Sequence, residues 1–128
     1  MEPFSPPYRI GTSTDLRRAR LIDTGVRSLR AIALEWGLDK GELSRLIGSA
    51  CTSQANHDET ALRLSHLLGI HRSLVALFGR SDARIRSWMQ AANFSVPFNG
   101  SSPKHAILVG DQSRLGVIRR YLDCQMVL

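Results

Sequence analysis

The sequence predicts an all-α fold, a small helical bundle. Apolar residues recur at spacings of three and four along most of the chain, which places them on one face of each successive helix. Sustained two-residue alternation, the pattern of a half-buried strand, does not occur. Glycines and prolines stand between the apolar stretches, where they end helices and form turns.

The front of the chain is predicted to form a lead-in and a short first helix. Residues 1–13 contain three prolines and little that could be buried, which predicts a flexible, extended segment. A cap at Thr14 or Asp15 starts the first helix, and Asp23-Thr24-Gly25 is predicted to break it.

Two further helices follow, joined by a tight link. Gly37 ends the first of them in a left-handed turn, Asp39 caps the second, and Gly48 is predicted to end it. The buried stripe of this pair consists of Val26, Leu29, Ile32, Ala33, Trp36, Leu43, Leu46 and Ile47.

The back of the chain is predicted to contain four helices, the first of them the longest in the protein. It runs from a cap at Asp58 to Gly79. Ser81 or Asp82 caps the next, and a loop with Pro97 and Gly100 ends it. The last two helices open at Ser102-Pro103 and after Gly110, and the apolar stripe of the final one is Leu115, Ile118, Tyr121 and Leu122.

Composition is that of an ordinary globular protein. The 128 residues are 43% hydrophobic and 22% charged, enough for one compact core. The formal net charge of +6 suits nucleic acid or an acidic protein partner. Cys51 and Cys124 have no disulfide or zinc spacing, the start does not resemble a signal peptide, and no apolar run approaches the roughly 20 residues of a membrane span. A reduced, cytoplasmic setting without a membrane is therefore expected.

Catalytic and metal-binding residues are not predicted. The four histidines are His57, His66, His71 and His105, and none pairs with another at a helical four-residue spacing beside a carboxylate. Cys51 has no base near it in the sequence. Since a glycine-rich phosphate loop is also missing, neither an enzyme nor a cofactor is expected.

Sequence-specific DNA binding is one functional alternative. The helices over residues 26–37 and 39–48 look like the start of a helix-turn-helix unit, which predicts a recognition helix near Ser49. The apolar residues within 49–57 are all small, and no Arg or Lys lies between Arg45 and Arg63. A DNA-reading helix needs large apolar and basic residues. The candidate DNA-contacting residues are Arg17, Arg18, Arg20, Arg45, Gln54 and Asn56, of which the first three could equally form a solvated helix face.

Several short signatures follow one another in the back half. They are LSHLLGIHRSL over residues 64–74, LFG over 77–79, Ala83 with Trp88, Asn93, NGSSP over 99–103 and VIRRYLD over 117–123. Together they resemble the toxin-binding domain of the Xre/MbcA/ParS antitoxin family. Residues 26–48, with their WG and LIG helix ends, resemble the front half of the same family.

The resemblance implies a type II antitoxin that binds and neutralises a RES-domain toxin, an enzyme that consumes NAD. It divides the chain into the lead-in 1–13, a helix-turn-helix-like region 14–57 and a toxin-binding domain 58–128. In that family the C-terminal end lies at or in the toxin's NAD pocket. Carried over, the toxin-binding residues are Arg119, Arg120, Tyr121, Gln125, Met126, Val127 and Leu128, although this apolar terminus could instead cover the chain's own core.

The resemblance also implies that the chain forms a homo-oligomer, for which Leu16, Leu21 and Ile22 offer an apolar helix face. One departure concerns DNA. Family members have a longer recognition segment with aromatic and basic residues, whereas residues 49–57 are short and lack both. Repression at an operator stays open as the alternative, by this protein alone or only with toxin bound.

Overall fold

A long central helix, α3, organises the fold. The computed structural model describes residues 13–50 and 57–127, and within them all regular structure is helical. The helices are α1 (Ser13–Trp36), α2 (Lys40–Ala50), α3 (His57–Phe78), α4 (Asp82–Gln90), α5 (Pro103–Val109) and α6 (Gln112–Val127). Helix α3 packs most extensively on α6 and then on α1, and one apolar core joins all six. The predicted all-α bundle is confirmed.

Three predicted features fall outside the described residues. They are the lead-in before Ser13, the segment 51–56 with Gln54 and Asn56, and Leu128. The side chains of Arg18 and Val127 are likewise outside them.

Helix α1 corrects the prediction of two short helices, because it runs without interruption through Asp23-Thr24-Gly25. Gly25 is buried at the crossing with α3, and a Cβ there would lie 3.1 Å from Leu64 Cδ1. The glycine therefore permits close helix packing rather than a turn. Arg27 Nη2 and Asp23 Oδ2, 2.7 Å apart, bridge the same turn from the solvent side. With 24 residues against 22, α1 and not α3 is the longest of the helices that the structure describes.

The link between α1 and α2 follows its local signals. Gly37 takes a φ of 77°, and Leu38 N–H donates to the carbonyl of Ala33 over 3.0 Å, which closes the left-handed end of α1. Asp39 Oδ1 accepts from Glu42 N–H at 2.8 Å, and Asp39 N–H donates to Glu42 Oε1 at 3.0 Å. This reciprocal capping box confirms the predicted cap. The predicted stop at Gly48 is two residues short, since α2 continues to Ala50.

Helices α4, α5 and α6 begin as predicted, whereas α3 begins at His57, so that Asp58 lies in its first turn and is not the cap that the sequence predicts. Gly79 takes a φ of 63° after α3, and Ser81 Oγ accepts from Arg84 N–H at 3.3 Å to cap α4. Ser102 Oγ accepts from His105 N–H at 3.2 Å, with proline at the next position, and caps α5. Asp111 Oδ1 accepts from Arg114 N–H at 2.9 Å, which caps α6.

Helices α3 and α6 lie side by side and run in the same direction. Three hydrogen bonds between them show this, because both residue numbers rise together: Gln112 to Glu59, Arg119 to Ser65, and Ser73 to Asp123. None of the helices within residues 13–50 and 57–127 combines the length and apolar character needed to cross a bilayer.

Candidate partner-binding surfaces

The last turns of α6 extend to Val127 as helix and do not fold back over the core. Arg120, Gln125 and Met126 are exposed, Met126 to 45%. Three of the seven residues that the resemblance places at a toxin therefore face solvent.

Arg119, by contrast, is engaged within the chain. Its Nη1 donates to both the carbonyl and the hydroxyl of Ser65, each at 3.3 Å. Its side chain lies over Gly69, where an added Cβ would be 2.6 Å from the guanidinium carbon. Because Gly69 has no side chain, the Arg119 side chain can lie against α3 at this point and connect α6 to it.

Tyr121 is also half-buried, and it holds a loop. Its hydroxyl lies 2.9 Å from Ser95 Oγ, and its ring meets Phe98 edge-on with centroids 5.8 Å apart. Phe98 in turn stacks edge-on with Trp88 at 5.6 Å. This row of rings fixes residues 91–102, here called the Phe94 loop, against the C-terminal half of α6.

Hydrogen bonds within the Phe94 loop hold its backbone in one shape. The amide of Asn93 donates to Ser101 O at 3.1 Å and that of Gly100 to Asn93 O at 2.7 Å, while Asn93 Oδ1 accepts from Ser95 N–H at 2.9 Å. From α6, Arg114 Nη1 donates to the carbonyl of Pro97 at 2.7 Å.

The same loop presents two large apolar side chains to solvent. Phe94 is 84% exposed and Val96 is 81% exposed, the highest values among the exposed large apolar side chains of the described residues. Rigid exposed aromatic residues are typical anchors of protein interfaces. The sequence patterns do not predict either residue; the signal that could have identified them is Phe and Val between the turn formers Asn93 and Pro97.

A second surface is a groove of about 770 Å³ whose floor is α3 and whose walls are α1 and Arg119 of α6. We call it the arginine groove. It is lined by Arg17, Leu21, Ile22, Gly25, Asp58, Ala61, Leu64, Ser65, Leu68, Gly69, Arg72 and Arg119. The predicted self-association face, Leu16, Leu21 and Ile22, partly coincides with its α1 wall.

Buried polar groups connect helices in the core. Trp36 Nε1–H donates to His71 Nδ1 at 3.0 Å, which places any proton of the neutral ring on Nε2, 3.4 Å from Glu35 Oε1. Burial lowers the pKa of His71, and nearby Glu35 and Asp82 oppose that shift. Burial likewise lowers the pKa of Arg63, whose Nη1 donates to Gly110 O at 2.8 Å.

His66 lies beside Arg119, and its pKa is lowered first by burial and then by that positive charge. Its Nδ1 is buried and unbonded among the described residues. In the part of the chain that the structure covers, no three His, Cys, Asp or Glu side chains converge as a metal site would require.

The DNA candidates whose side chains the structure describes lie on two helices. Arg17 and Arg20 are exposed on α1, and Arg45 is exposed on α2. Arg18, Gln54 and Asn56 lie outside the described side chains.

Comparisons of the chain with family models, curated proteins and solved structures found no match. The antitoxin resemblance therefore depends on the residues quoted from the sequence.

Proposed function

We propose that this chain is a type II antitoxin that neutralises a toxin of the RES class by binding it, and has no catalytic activity of its own. The observation that carries the proposal is the exposed apolar pair Phe94 and Val96 on a pre-ordered loop beside the end of α6. The resemblance of residues 60–124 supplies the partner class.

The Phe94 loop and the C-terminal turn can form one continuous surface. Tyr121, which holds the loop through Ser95, is four residues before Gln125, so the two lie on the same face of α6. A partner seated on the last turns of α6 would thus also meet Phe94. Because the loop is already ordered, little conformational entropy is lost when it docks.

The functional experiment is co-expression with the product of the neighbouring gene, scored as growth rescue. Deleting residues 124–128 should weaken rescue, because it removes Gln125 and Met126 from the surface. Phe94→Ala should weaken it too, since truncating an interface anchor typically costs about 2 kcal/mol or more of binding.

A matched control is Leu34→Ala, which removes an apolar side chain that is 67% exposed on α1 and belongs neither to the Phe94 loop nor to α6. It should leave rescue unchanged. Full rescue by both the truncated chain and Phe94→Ala would contradict the proposed surface. Failure of the purified full chain to form a complex with the neighbouring gene product would contradict the toxin-binding role.

The alternative is repression at an operator, for which the exposed Arg17, Arg20 and Arg45 are the described candidates. It predicts binding of the isolated protein to promoter DNA with an affinity that falls steeply as salt rises. A shift of that DNA only after toxin is added would indicate repression by the complex. We propose a cytoplasmic, self-associating protein in either case.

A further inference from the structure

The arginine groove is an incomplete helical bundle. Helices α1, α3 and α6 surround it on three sides, and its floor includes Leu64 and Leu68. Leu21 lines it and is still 67% exposed, so the groove is open to solvent. A fourth helix laid on α3 would bury this surface in the manner of a four-helix bundle.

The charged residues of the groove favour a negatively charged partner. Arg17, Arg72 and Arg119 line the groove, whereas Asp58 is the one acidic residue among the lining side chains that the structure describes. Arg17 and Arg72 are exposed, and neither forms an ion pair within residues 13–50 and 57–127. Such a rim attracts carboxylates and repels basic segments.

A second copy of the chain is a poor fit. A two-fold contact through this groove would place the same patch on both sides of the interface. Both sides of the interface would then carry the same excess of arginines, and the exposed Arg20 of α1 would add to the repulsion. Like charges therefore disfavour self-association through Leu21 and Ile22, and the self-association proposed above would use another surface.

Nucleic acid could contact the arginines of the groove but not its apolar residues. Phosphates could pair with the arginines, yet the leucine and isoleucine side chains between them would gain nothing from a sugar-phosphate backbone. A helix with an apolar stripe and acidic flanks satisfies both parts of the groove.

We infer that the arginine groove binds an acidic amphipathic helix of a partner protein. The inference goes beyond the proposed function, because it holds whichever protein carries the helix. Arg119 and Tyr121 are two residues apart and point to nearly opposite sides of α6, so this site is separate from the Phe94 loop. The groove extends along α3 from Asp58 to Arg72, a rise of about 21 Å, which matches a helix of about 14 residues.

The test measures binding of the full chain to three labelled synthetic peptides by fluorescence anisotropy. The first peptide has a leucine stripe at helical spacing and glutamates elsewhere. The second replaces the glutamates by lysines, and the third replaces the leucines by serines. The first should bind saturably and the other two at least about tenfold more weakly, since each lacks one of the two contributions.

Charge-reversal variants locate the site. Arg17→Glu combined with Arg72→Glu should weaken binding of the leucine-glutamate peptide about tenfold or more. The matched control, Arg30→Glu with Arg84→Glu, changes net charge equally at two exposed arginines outside the groove and should weaken it clearly less. Both doubles alter exposed side chains only, and circular dichroism and thermal melting check that they fold.

Three results would overturn the inference. They are equal binding of the glutamate and lysine peptides, equal loss in the two double variants, and absence of saturable binding to the full chain. A dimer in sedimentation that Leu21→Asp converts to monomer would assign the groove to a second copy and would overturn it as well. Neutralisation of the toxin through the Phe94 loop would be unaffected by any of these results.

Discussion

The two flanks of α6 present opposite kinds of surface. On the side of Arg119 the surface is a concave groove lined by three arginines, and on the side of Tyr121 a convex loop presents Phe94 and Val96. The stretch from Ser87 to Pro103, which contains that loop, has no charged residue at all. The difference teaches that one buried stripe, that of α6, can support two recognition modes: charge complementarity on one flank and a pre-ordered apolar anchor on the other.

The largest expected effect is the difference in stability loss between two substitutions: one at Phe98, which supports the Phe94 loop, and one at Phe94, its exposed side chain. Phe98→Ala removes a ring that is 2% exposed between Trp88 and Tyr121, and should lower the free energy of unfolding by about 3–5 kcal/mol. Phe94→Ala, four residues earlier and exposed, should change it by less than about 0.5 kcal/mol. Urea unfolding measures both, and similar losses would show that Phe94 is part of the core.

A smaller effect is expected at the contact that positions the loop. Tyr121→Phe and Ser95→Ala each remove one side of the 2.9 Å hydroxyl contact and should each cost about 1 kcal/mol of stability. In a double-mutant cycle the second substitution should add little to the first. Fully additive losses would mean that the two hydroxyls do not interact in solution.

The smallest effect tests a core position away from both flanks. Burial lowers the pKa of His71 below its ordinary value of 6.5, so the unfolded chain binds that proton more readily than the folded one. The contribution of neutral His71 to stability is therefore full above pH 6.5 and declines as the pH falls below that value.

His71→Asn should flatten this part of the curve of unfolding free energy against pH. His66→Asn is the comparison variant: because burial and Arg119 lower the pKa of His66 as well, it should remove a separate part of the slope, while the contact of His71 with Trp36 stays in place. A slope that His71→Asn leaves unchanged would contradict the contribution assigned to His71.

Local sequence signals predicted the helix ends well because each depends on neighbours within a few residues. Gly37, Asp39, Ser81 and Ser102 act through their own backbone and the next turn. The predicted break at Gly25 is wrong because the role of this glycine does not depend on its neighbours in sequence. Its role depends on Leu64, 39 positions away, and no local pattern distinguishes a glycine at a helix crossing from one in a turn.

The candidate surfaces were predicted only in part. The resemblance groups Arg119 and Tyr121 with the C-terminal turn, but the structure shows that these two side chains contact Ser65 and Ser95 within the chain. Phe94 is exposed whereas Phe98, four residues later, is buried, and the arginine groove brings together residues of three helices. Both are consequences of tertiary packing, which the spacing of apolar residues does not specify.

Hydrogen–deuterium exchange on the complex with the neighbouring gene product tests the central claim most directly. The free chain and the complex are compared peptide by peptide. The account predicts that protection on binding concentrates in residues 92–99 and 120–127. Protection confined to other helices, with these two segments exchanging as in the free chain, would contradict it.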